Sequence, residues 1–271
     1  MLFDGLIDDA AVFPPGNAAM PAAVRAHVRH AGTRYAAVVG RFLCPATRLP
    51  ECAAQVTGPD ARLGIGVVAK GEPAEVDAAL DFVSRTPTLV PQAVEVALPG
   101  NVAKPGRAAR RIAAALPELP AYVEVARQTG WRDALDALAE NRRFAKLRTG
   151  GPAPQNIPPA AGVAAFIVGC VERSLPFKCT AGLHRAVRWQ DPVLGWHHGF
   201  VNILGAVAAA LQGASSDELV DLLEQTSAVR AVAALPQDAD EVRAVREAFH
   251  GFGSCSILEP VEDLERLGLL R

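Results

Sequence analysis

Eight short apolar segments alternate with longer amphipathic segments along most of this 271-residue chain. The apolar segments are predicted β-strands, at residues 10–15, 35–42, 62–70, 92–98, 121–126, 144–149, 177–182 and 253–258. Alternating strands and helices favour a parallel sheet covered by helices, and eight such units match the repeat number of a TIM barrel. We therefore predict an α/β fold of the (β/α)8 TIM-barrel type, with a doubly wound open sheet as the alternative.

The connection between the seventh and eighth predicted strands is much longer than the others. About seventy residues separate Gly182 from Phe252, whereas most βα connections are only a few residues long. Three helical patterns lie in this segment, at residues 200–213, 215–235 and 238–249, and Ser216 or Asp217 is expected to cap the second. We expect one barrel domain over residues 1–271, with a helical insertion at about residues 190–250.

The composition limits the classes of partner that the chain is expected to bind. The formal net charge is -2, so neither a nucleic-acid surface nor an anionic-membrane surface is predicted. Five scattered cysteines without a C-x-x-C motif favour a reducing compartment, and the acidic N-terminus lacks the basic region of a signal peptide. We expect a cytoplasmic protein that acts on a small molecule. A homo-oligomer is compatible with these features.

Two of the four lysines lie in predicted apolar strands. Lys146 occurs in F-A-K-L-R-T-G-G and Lys178 in F-K-C-T-A-G-L-H, although lysine is rarely buried without a partner. Because side chains alternate in direction along a strand, Lys146, Arg148 and Lys178 are expected to point into the barrel. The same alternation directs Glu95 and Glu124 inward from the fourth and fifth strands.

Two further basic residues are predicted near the ends of strands, Arg41 on the second and Lys70 on the third. Catalytic groups of this fold lie at the carboxyl ends of the strands, so the whole set of charges predicts a functional site there. Arg41, Glu124 and Arg148 are candidates for substrate binding. The alternative is a charge-balanced polar core, since buried ion pairs also occur without a function.

Four motifs follow one another in a fixed order: Q-A-V-E-V-A-L-P-G, F-A-K-L-R-T-G-G, F-K-C-T-A-G-L-H-R and H-G-F-G-S-C-S-I-L. In that order they resemble D-V-D-V-V-F-P, K-T-S-T-G, F-K-P-A-G-G-V-R and R-F-G-A-S-S-L-L of the deoxyribose-phosphate aldolases. Those enzymes are class I aldolases built on a TIM barrel. The resemblance covers roughly residues 92–182 and 250–260.

The resemblance implies a site for Schiff-base chemistry. In it Lys146 would be the nucleophile that attacks a substrate carbonyl, Lys178 its neighbour, and Glu95 a proton relay. A nearby ammonium and desolvation both disfavour a protonated lysine, which would activate Lys146. The family also binds substrate phosphate through glycine-rich turns. The matching residues here are Gly150, Gly151, Gly182, Gly253 and Ser254.

The chain also departs from the family pattern. K-T-S-T-G has become K-L-R-T-G, so Leu147 occupies a hydroxyl position and Arg148 is new. Leu183 replaces a glycine, Glu95 is longer than the family's aspartate, and the long helical segment has no counterpart. These differences indicate a changed substrate or the loss of aldolase chemistry on a kept scaffold.

The segment after the seventh predicted strand is rich in histidine and arginine. In one hypothesis it is a lid that supplies His184 and Arg188 to an anionic substrate. A second hypothesis is a metal site that includes Glu124, with its other ligands drawn from His184, His197 and His198. In a third, the histidines only pack a loop against the barrel.

Three functions therefore stay open from the sequence. The leading hypothesis is a class I aldolase-type lyase that acts on a small carbonyl compound, with or without a phosphate group. This hypothesis needs no cofactor and no metal, because the chain has no spaced metal-ligand motif. The alternatives are a metal-dependent barrel lyase or hydrolase, and a barrel that binds a ligand or partner without catalysis.

Overall fold

A closed barrel of eight parallel strands forms the centre of the molecule. The computed structural model describes residues 1–58, 60–71, 73–99 and 102–270. Its strands are β1 (Ile7–Asp9), β2 (Val39–Pro45), β3 (Leu63–Ala69), β4 (Leu89–Ala97), β5 (Ala121–Glu124), β6 (Phe144–Arg148), β7 (Phe177–Thr180), β8 (Trp189–Asp191), β9 (Gly195–His197) and β10 (Phe249–Ser254). The barrel order is β1-β10-β7-β6-β5-β4-β3-β2, and β8 and β9 form a separate antiparallel hairpin. The predicted TIM-barrel fold is confirmed.

Helices cover the outside of the barrel. They are α1 (Met20–His30), α2 (Leu49–Ala53), α3 (Pro73–Ser84), α4 (Pro105–Ala115), α5 (Trp131–Glu140), α6 (Ala160–Val171), α7 (Phe200–Leu211), α8 (Ser216–Glu224), α9 (Ala228–Ala233), α10 (Ala239–Ala248) and α11 (Leu258–Arg266). Short 3-10 helices lie at Ala36–Val38, Ala46–Arg48 and Pro154–Asn156. Within the described ranges, no helix combines the length and hydropathy that a membrane crossing requires.

Aromatic side chains pack β7 and β10 against the helices α6 and α7. Phe177 packs edge-on against Phe166 of α6 at 5.8 Å between ring centroids, and it also contacts Phe249. Phe252 stacks on Phe200 of α7 at 5.1 Å. These rings are fully buried, so the outward faces of both strands are fixed while their alternate residues point into the barrel.

The long connection after β7 holds the β8–β9 hairpin and the four helices α7 to α10. Three helices were predicted, but the second pattern is split into α8 and α9. Asn202 explains the break, because its amide donates to the carbonyls of Leu222 and Gln225 at 2.8 Å and so ends α8. The expected cap at Ser216 or Asp217 is one or two residues late. Ser215 is the cap, in a reciprocal pair with Glu218.

The first and last barrel strands were placed too late along the chain. Residues 10–15 form a loop at the barrel mouth, and β1 instead contains Asp8 and Asp9, which are poor strand formers. Tertiary contacts override that propensity: Asp8 accepts the Arg41 amide at 2.8 Å, and Asp9 pairs with the His27 ring at 3.0 Å. Glycine is also a poor strand former, so the glycines of β10 obscured the start of that strand in the sequence.

Gly251 allows β10 to close the barrel against β1. Its φ is +132°, and a Cβ at this position would lie 2.2 Å from the carbonyl oxygen of Leu6. We expect Gly251→Ala to lower the free energy of unfolding by about 2 kcal/mol or more, because backbone on both sides resists movement. The control is Gly213→Ala, which also has a positive φ (+85°) but meets no atom within 4 Å. Urea unfolding of both variants tests this, and equal losses would contradict the steric explanation.

Candidate active site

A carboxylate bonded to two lysines lies at the centre of the barrel. Glu95 on β4 accepts from Lys146 at 2.9 Å through Oε2 and from Lys178 at 2.5 Å through Oε1. Lys146 and Lys178 are paired residues on the adjacent strands β6 and β7. All three side chains are at most 6% exposed, so the predicted inward direction of each matches the structure.

Lys178 occupies the deeper of the two lysine positions. Its Nζ also bonds Asp8 Oδ2 at 2.5 Å and lies 5.3 Å from the centre of the Tyr122 ring. Tyr122 in turn shares a hydrogen bond of 2.8 Å with the Nδ1 of His250. Two carboxylates and one aromatic face therefore surround the Lys178 ammonium, which satisfies a charge that is only 1% exposed.

Lys146 occupies the upper position and contacts a second acid. Its Nζ lies 3.2 Å from Glu124 Oε2, and Glu124 is held from above by Arg148 Nε at 2.8 Å. The Arg148 side chain is half exposed, so this pair leads from the buried network toward solvent. Glu124 and Arg148 thus point toward the barrel interior beside Lys146, as strand alternation predicted, and their role in substrate binding stays a prediction.

The two lysines and the arginine hold the acids in their charged forms. Burial opposes ionisation of Glu95, but Lys146 and Lys178 outweigh it and lower the pKa of Glu95 from 4.5 to about 2. The pKa of Glu124 is lowered as well, since Lys146 and Arg148 outweigh its burial. Burial also opposes the charge of Lys178, but Asp8 and Glu95 raise the pKa of Lys178 above its ordinary value.

These contacts change the electrostatic role that we expected for Lys178. We expected its ammonium to repel that of Lys146 directly, but the Glu95 carboxylate bonds both groups. Lys178 is also neutralised by Asp8, which the sequence prediction missed. Lys178 is therefore a fixed cation that keeps Glu95 ionised. Lys146 is the end of the network that a ligand can reach.

A cavity of about 870 Å³ opens above this network at the carboxyl ends of the strands. Lys146, Glu95 and Arg148 line it, whereas Lys178 does not. Its size is that of a small-molecule site, and its place is where this fold carries its chemistry. The loop after β1 and the β8–β9 hairpin complete its walls.

The glycine-rich turns around the mouth match the prediction in part. Gly151, Gly182 and Gly253 line the cavity. Gly150 does not, because it packs against the next turn: a Cβ there would lie 2.7 Å from the Gly182 Cα. Ser254 is turned away from the cavity, and its hydroxyl donates to the Ser256 carbonyl at 2.7 Å.

Three basic residues are not where the sequence placed them. Arg41 lies beneath the cavity beside Asp8, because β2 continues to Pro45 beyond the predicted end. Lys70 is exposed, and its amide donates to Glu75.

Arg188 is the third of these residues, and it anchors the hairpin away from the mouth. Its guanidinium pairs with Glu224 on α8 at 3.2 Å and lies 5.1 Å from the Trp196 ring centre. A direct role for Arg188 in binding an anionic substrate is therefore not supported by its position.

The histidines do not converge on one point. His184 lines the cavity and contacts Glu259, His197 stacks on Trp189 at 4.7 Å, and His198 donates to the Pro158 carbonyl. Glu124 bonds the network around Lys146 instead. Among the residues that the structure describes, no three His, Cys, Asp or Glu side chains form a group that could hold a metal ion.

Sequence reasoning missed four residues of the site: Asp8, Tyr122, Cys255 and Glu259. A first strand predicted a few residues earlier would have included Asp8. Strand alternation from Glu124 points Tyr122 inward. Cys255 follows the last barrel strand directly, which is a catalytic position in this fold. Glu259 lies on a covering helix, and no local pattern distinguishes it.

Comparison with protein-family models, with curated proteins and with solved structures gave no match to this chain. The evidence for a function therefore lies chiefly in the geometry and chemistry of the site.

The depressed pKa of Glu95 makes stability depend on pH in a defined direction. A folded-state pKa of about 2 against 4.5 is worth about 3 kcal/mol, present above pH 4.5 and lost as the pH falls toward about 2. About 2 kcal/mol of it should disappear between pH 7 and pH 3. In Glu95→Gln this component should be absent, so its free energy of unfolding should fall less over that range.

Urea unfolding at several pH values measures this difference. Glu262→Gln, at an exposed position, is the control and should keep the acid dependence of the unchanged protein. Parallel pH dependences for the unchanged protein and Glu95→Gln would mean that the two lysines do not hold Glu95 ionised.

Proposed function

We propose that this protein is a Schiff-base lyase of the class I aldolase type, with Lys146 as the nucleophile toward a small carbonyl compound. The observation that carries the proposal is the division between the two lysines: both bond Glu95, but Lys146 alone of the pair lines the cavity. The resemblance to the deoxyribose-phosphate aldolases supports the same assignment. The chain's free cysteines favour the cytoplasm as its compartment.

Schiff-base formation needs a proton acceptor beside the lysine. The Lys146 ammonium loses a proton, the amine attacks the carbonyl carbon, and the carbinolamine loses water as an iminium forms. Glu95 and Glu124 lie 2.9 and 3.2 Å from Nζ, so a departing proton has two aligned acceptors. The carboxylate that accepted this proton can return it to the hydroxyl group of the carbinolamine, which then leaves as water.

The two acids also suit the intermediate. An iminium keeps the positive charge of the ammonium, so Glu95 and Glu124 stabilise it as they stabilise the resting lysine. An ammonium has three N–H donors, whereas this iminium has one. Nζ therefore cannot bond both acids after the reaction, and we assign the remaining N–H to Glu124. The Glu95 oxygen that bonds Lys146, Oε2, is then released and becomes a stronger base.

Carbon–carbon cleavage follows from that change. Glu95 takes the proton of the substrate's β-hydroxyl group, the carbon–carbon bond electrons move into the iminium, and an aldehyde departs from an enamine. Glu95 returns the proton to the enamine carbon, and water then releases the second product from Lys146. Lys178 remains charged throughout, because Asp8 pairs with its ammonium even while Glu95 carries the proton.

Groups at the mouth suit an anionic end on the substrate. Arg148 and Arg185 line the cavity with partly exposed guanidinium groups. The backbone at Gly151 and Gly182 borders the same region. A phosphate or carboxylate would find charge-assisted donors there, which is the basis for proposing a phosphorylated or otherwise anionic carbonyl substrate.

Borohydride trapping tests the nucleophile. With a panel of small aldehydes and ketones, we expect a reduced adduct on the peptide that contains Lys146. Lys146→Arg keeps the positive charge beside Glu95 but cannot form an imine, so its adduct should be lost while its melting temperature stays close to that of the unchanged protein. Lys70→Met, an exposed control, should trap normally.

An adduct on Lys178 or Lys70 in place of Lys146 would contradict the assignment. So would full trapping in Lys146→Arg, which removes the amine. A panel that yields turnover without any adduct would overturn the Schiff-base mechanism as a whole.

A chelator separates this function from the metal-dependent alternative. Trapping at Lys146 uses only the amine and its neighbouring acids, so incubation with a strong chelator should leave the yield unchanged within error. A yield that falls on chelation and returns with one added divalent metal would favour the alternative function.

A further inference from the structure

One cysteine differs from the other four in its surroundings. Cys44, Cys52, Cys170 and Cys179 are fully buried, whereas Cys255 is partly exposed and lines the cavity. It directly follows β10, at the carboxyl end of a barrel strand. This is a position from which barrel enzymes act on their ligands. Nothing in the Schiff-base mechanism uses its thiol.

A histidine and a glutamate are aligned behind that thiol. His184 Nδ1 lies 2.8 Å from Glu259 Oε2, and its Nε2 faces Cys255 Sγ at 3.9 Å. A carboxylate that accepts from Nδ1–H selects the tautomer in which Nε2 is basic, so the free nitrogen points at the sulfur. Contact with Cys255 is the main cause of a raised pKa of His184, with Glu259 adding to it against burial.

All three side chains line the same cavity as Lys146. They come from three separate places, the turn after β7, the end of β10 and the helix α11. Gly16 lets the mouth loop cross close to the cysteine, because a Cβ there would be 3.0 Å from the Cys255 Cβ. The thiol is thus held against the cavity wall rather than left on a free loop.

Buried polar atoms without a hydrogen-bond partner occur in the wall of the same cavity. Trp189 and His197, from the β8–β9 hairpin, both line it. The indole Nε1 and both His197 ring nitrogens are buried and make no hydrogen bond with the residues that the structure describes. Burial lowers the pKa of His197, and the Asp191 carboxylate and the Gly182 backbone act in the opposite direction.

We propose that Cys255, His184 and Glu259 form a second covalent site, in which the Cys255 thiol accepts an acyl group from a small ester or thioester. This site does not depend on the Schiff-base function. A lysine imine requires an aldehyde or ketone, whereas this thiol takes the carbonyl carbon of an ester or thioester.

The acyl transfer balances without any further reagent except water. His184 Nε2 takes the thiol proton, the sulfur bonds the carbonyl carbon, and the carbonyl π electrons move to the oxygen, which becomes an oxyanion. The oxyanion then re-forms the carbonyl and expels an alkoxide or thiolate, which takes the proton from His184. Water, deprotonated by His184, attacks the acyl-cysteine, so a carboxylic acid leaves and the thiol is restored.

Mass spectrometry of the native chain tests the site directly. After brief incubation with p-nitrophenyl acetate and an acid quench, we expect acetylation mainly on the Cys255 peptide. Neutral hydroxylamine should remove that label, because a thioester is labile where a lysine amide is not. Iodoacetamide should likewise alkylate Cys255 far faster than the four buried cysteines.

Variants separate catalysis from exposure. His184→Gln should slow both labelling reactions about tenfold or more, because the thiol loses its base. Glu259→Gln should slow them less, and Glu259→Asp should restore part of the rate by keeping a carboxylate behind His184. Cys170→Ser, at a fully buried cysteine, is the matched control and should label normally.

Three outcomes would overturn the proposal: acetyl label confined to lysines, label spread evenly over the cysteines, or equal Cys255 labelling in His184→Gln. This labelling needs neither an aldehyde or ketone nor borohydride. Its failure is therefore distinct from a failure of trapping at Lys146.

Discussion

The bond from one glutamate to two lysines is the constraint on which the rest of this site depends. Removing two ammonium groups from water costs several kcal/mol for each, so neither lysine can be buried without a carboxylate beside it. Glu95 serves both, and Asp8 and Glu124 complete the set at 2.5 and 3.2 Å from Lys178 and Lys146. The acids and lysines lie on five barrel strands. The charges therefore fix the relative positions of strands that are distant in sequence.

The network has a buried part around Lys178 and a part around Lys146 that is open to the cavity. Lys178 is enclosed by Asp8, Glu95 and the Tyr122 ring, and its charge is fixed. Lys146 contacts the same glutamate but opens to the cavity. In the proposed mechanism the buried lysine sets the charge of Glu95, and the accessible lysine exchanges protons with it. The cost of removing these ions from water offsets much of the attraction between them, so the proposed catalytic role explains the network better than net stability does.

The sequence predicted those parts of the molecule that follow a local period. Alternation along β4, β6 and β7 pointed Glu95, Lys146 and Lys178 inward, because these strands are apolar on their outer faces. Asp8 was missed because its strand is three residues long and depends on contacts with distant residues. No local pattern could reveal that His184 meets Glu259, which lies 75 positions further along the chain. Such contacts arise only from closure of the barrel.

The ionisation of Glu95 in the native protein is the most direct measure of how the two lysines act. Carbon-13 NMR of labelled glutamate side chains, assigned with Glu95→Gln, would follow its carboxyl group through an acid titration. We expect Glu95 to stay ionised down to about pH 3.5, which is below the ordinary pKa of a glutamate. We also expect Lys178→Met to raise the pKa of Glu95. A glutamate that titrates near pH 4.5 in both proteins would contradict the control of Glu95 by its lysines.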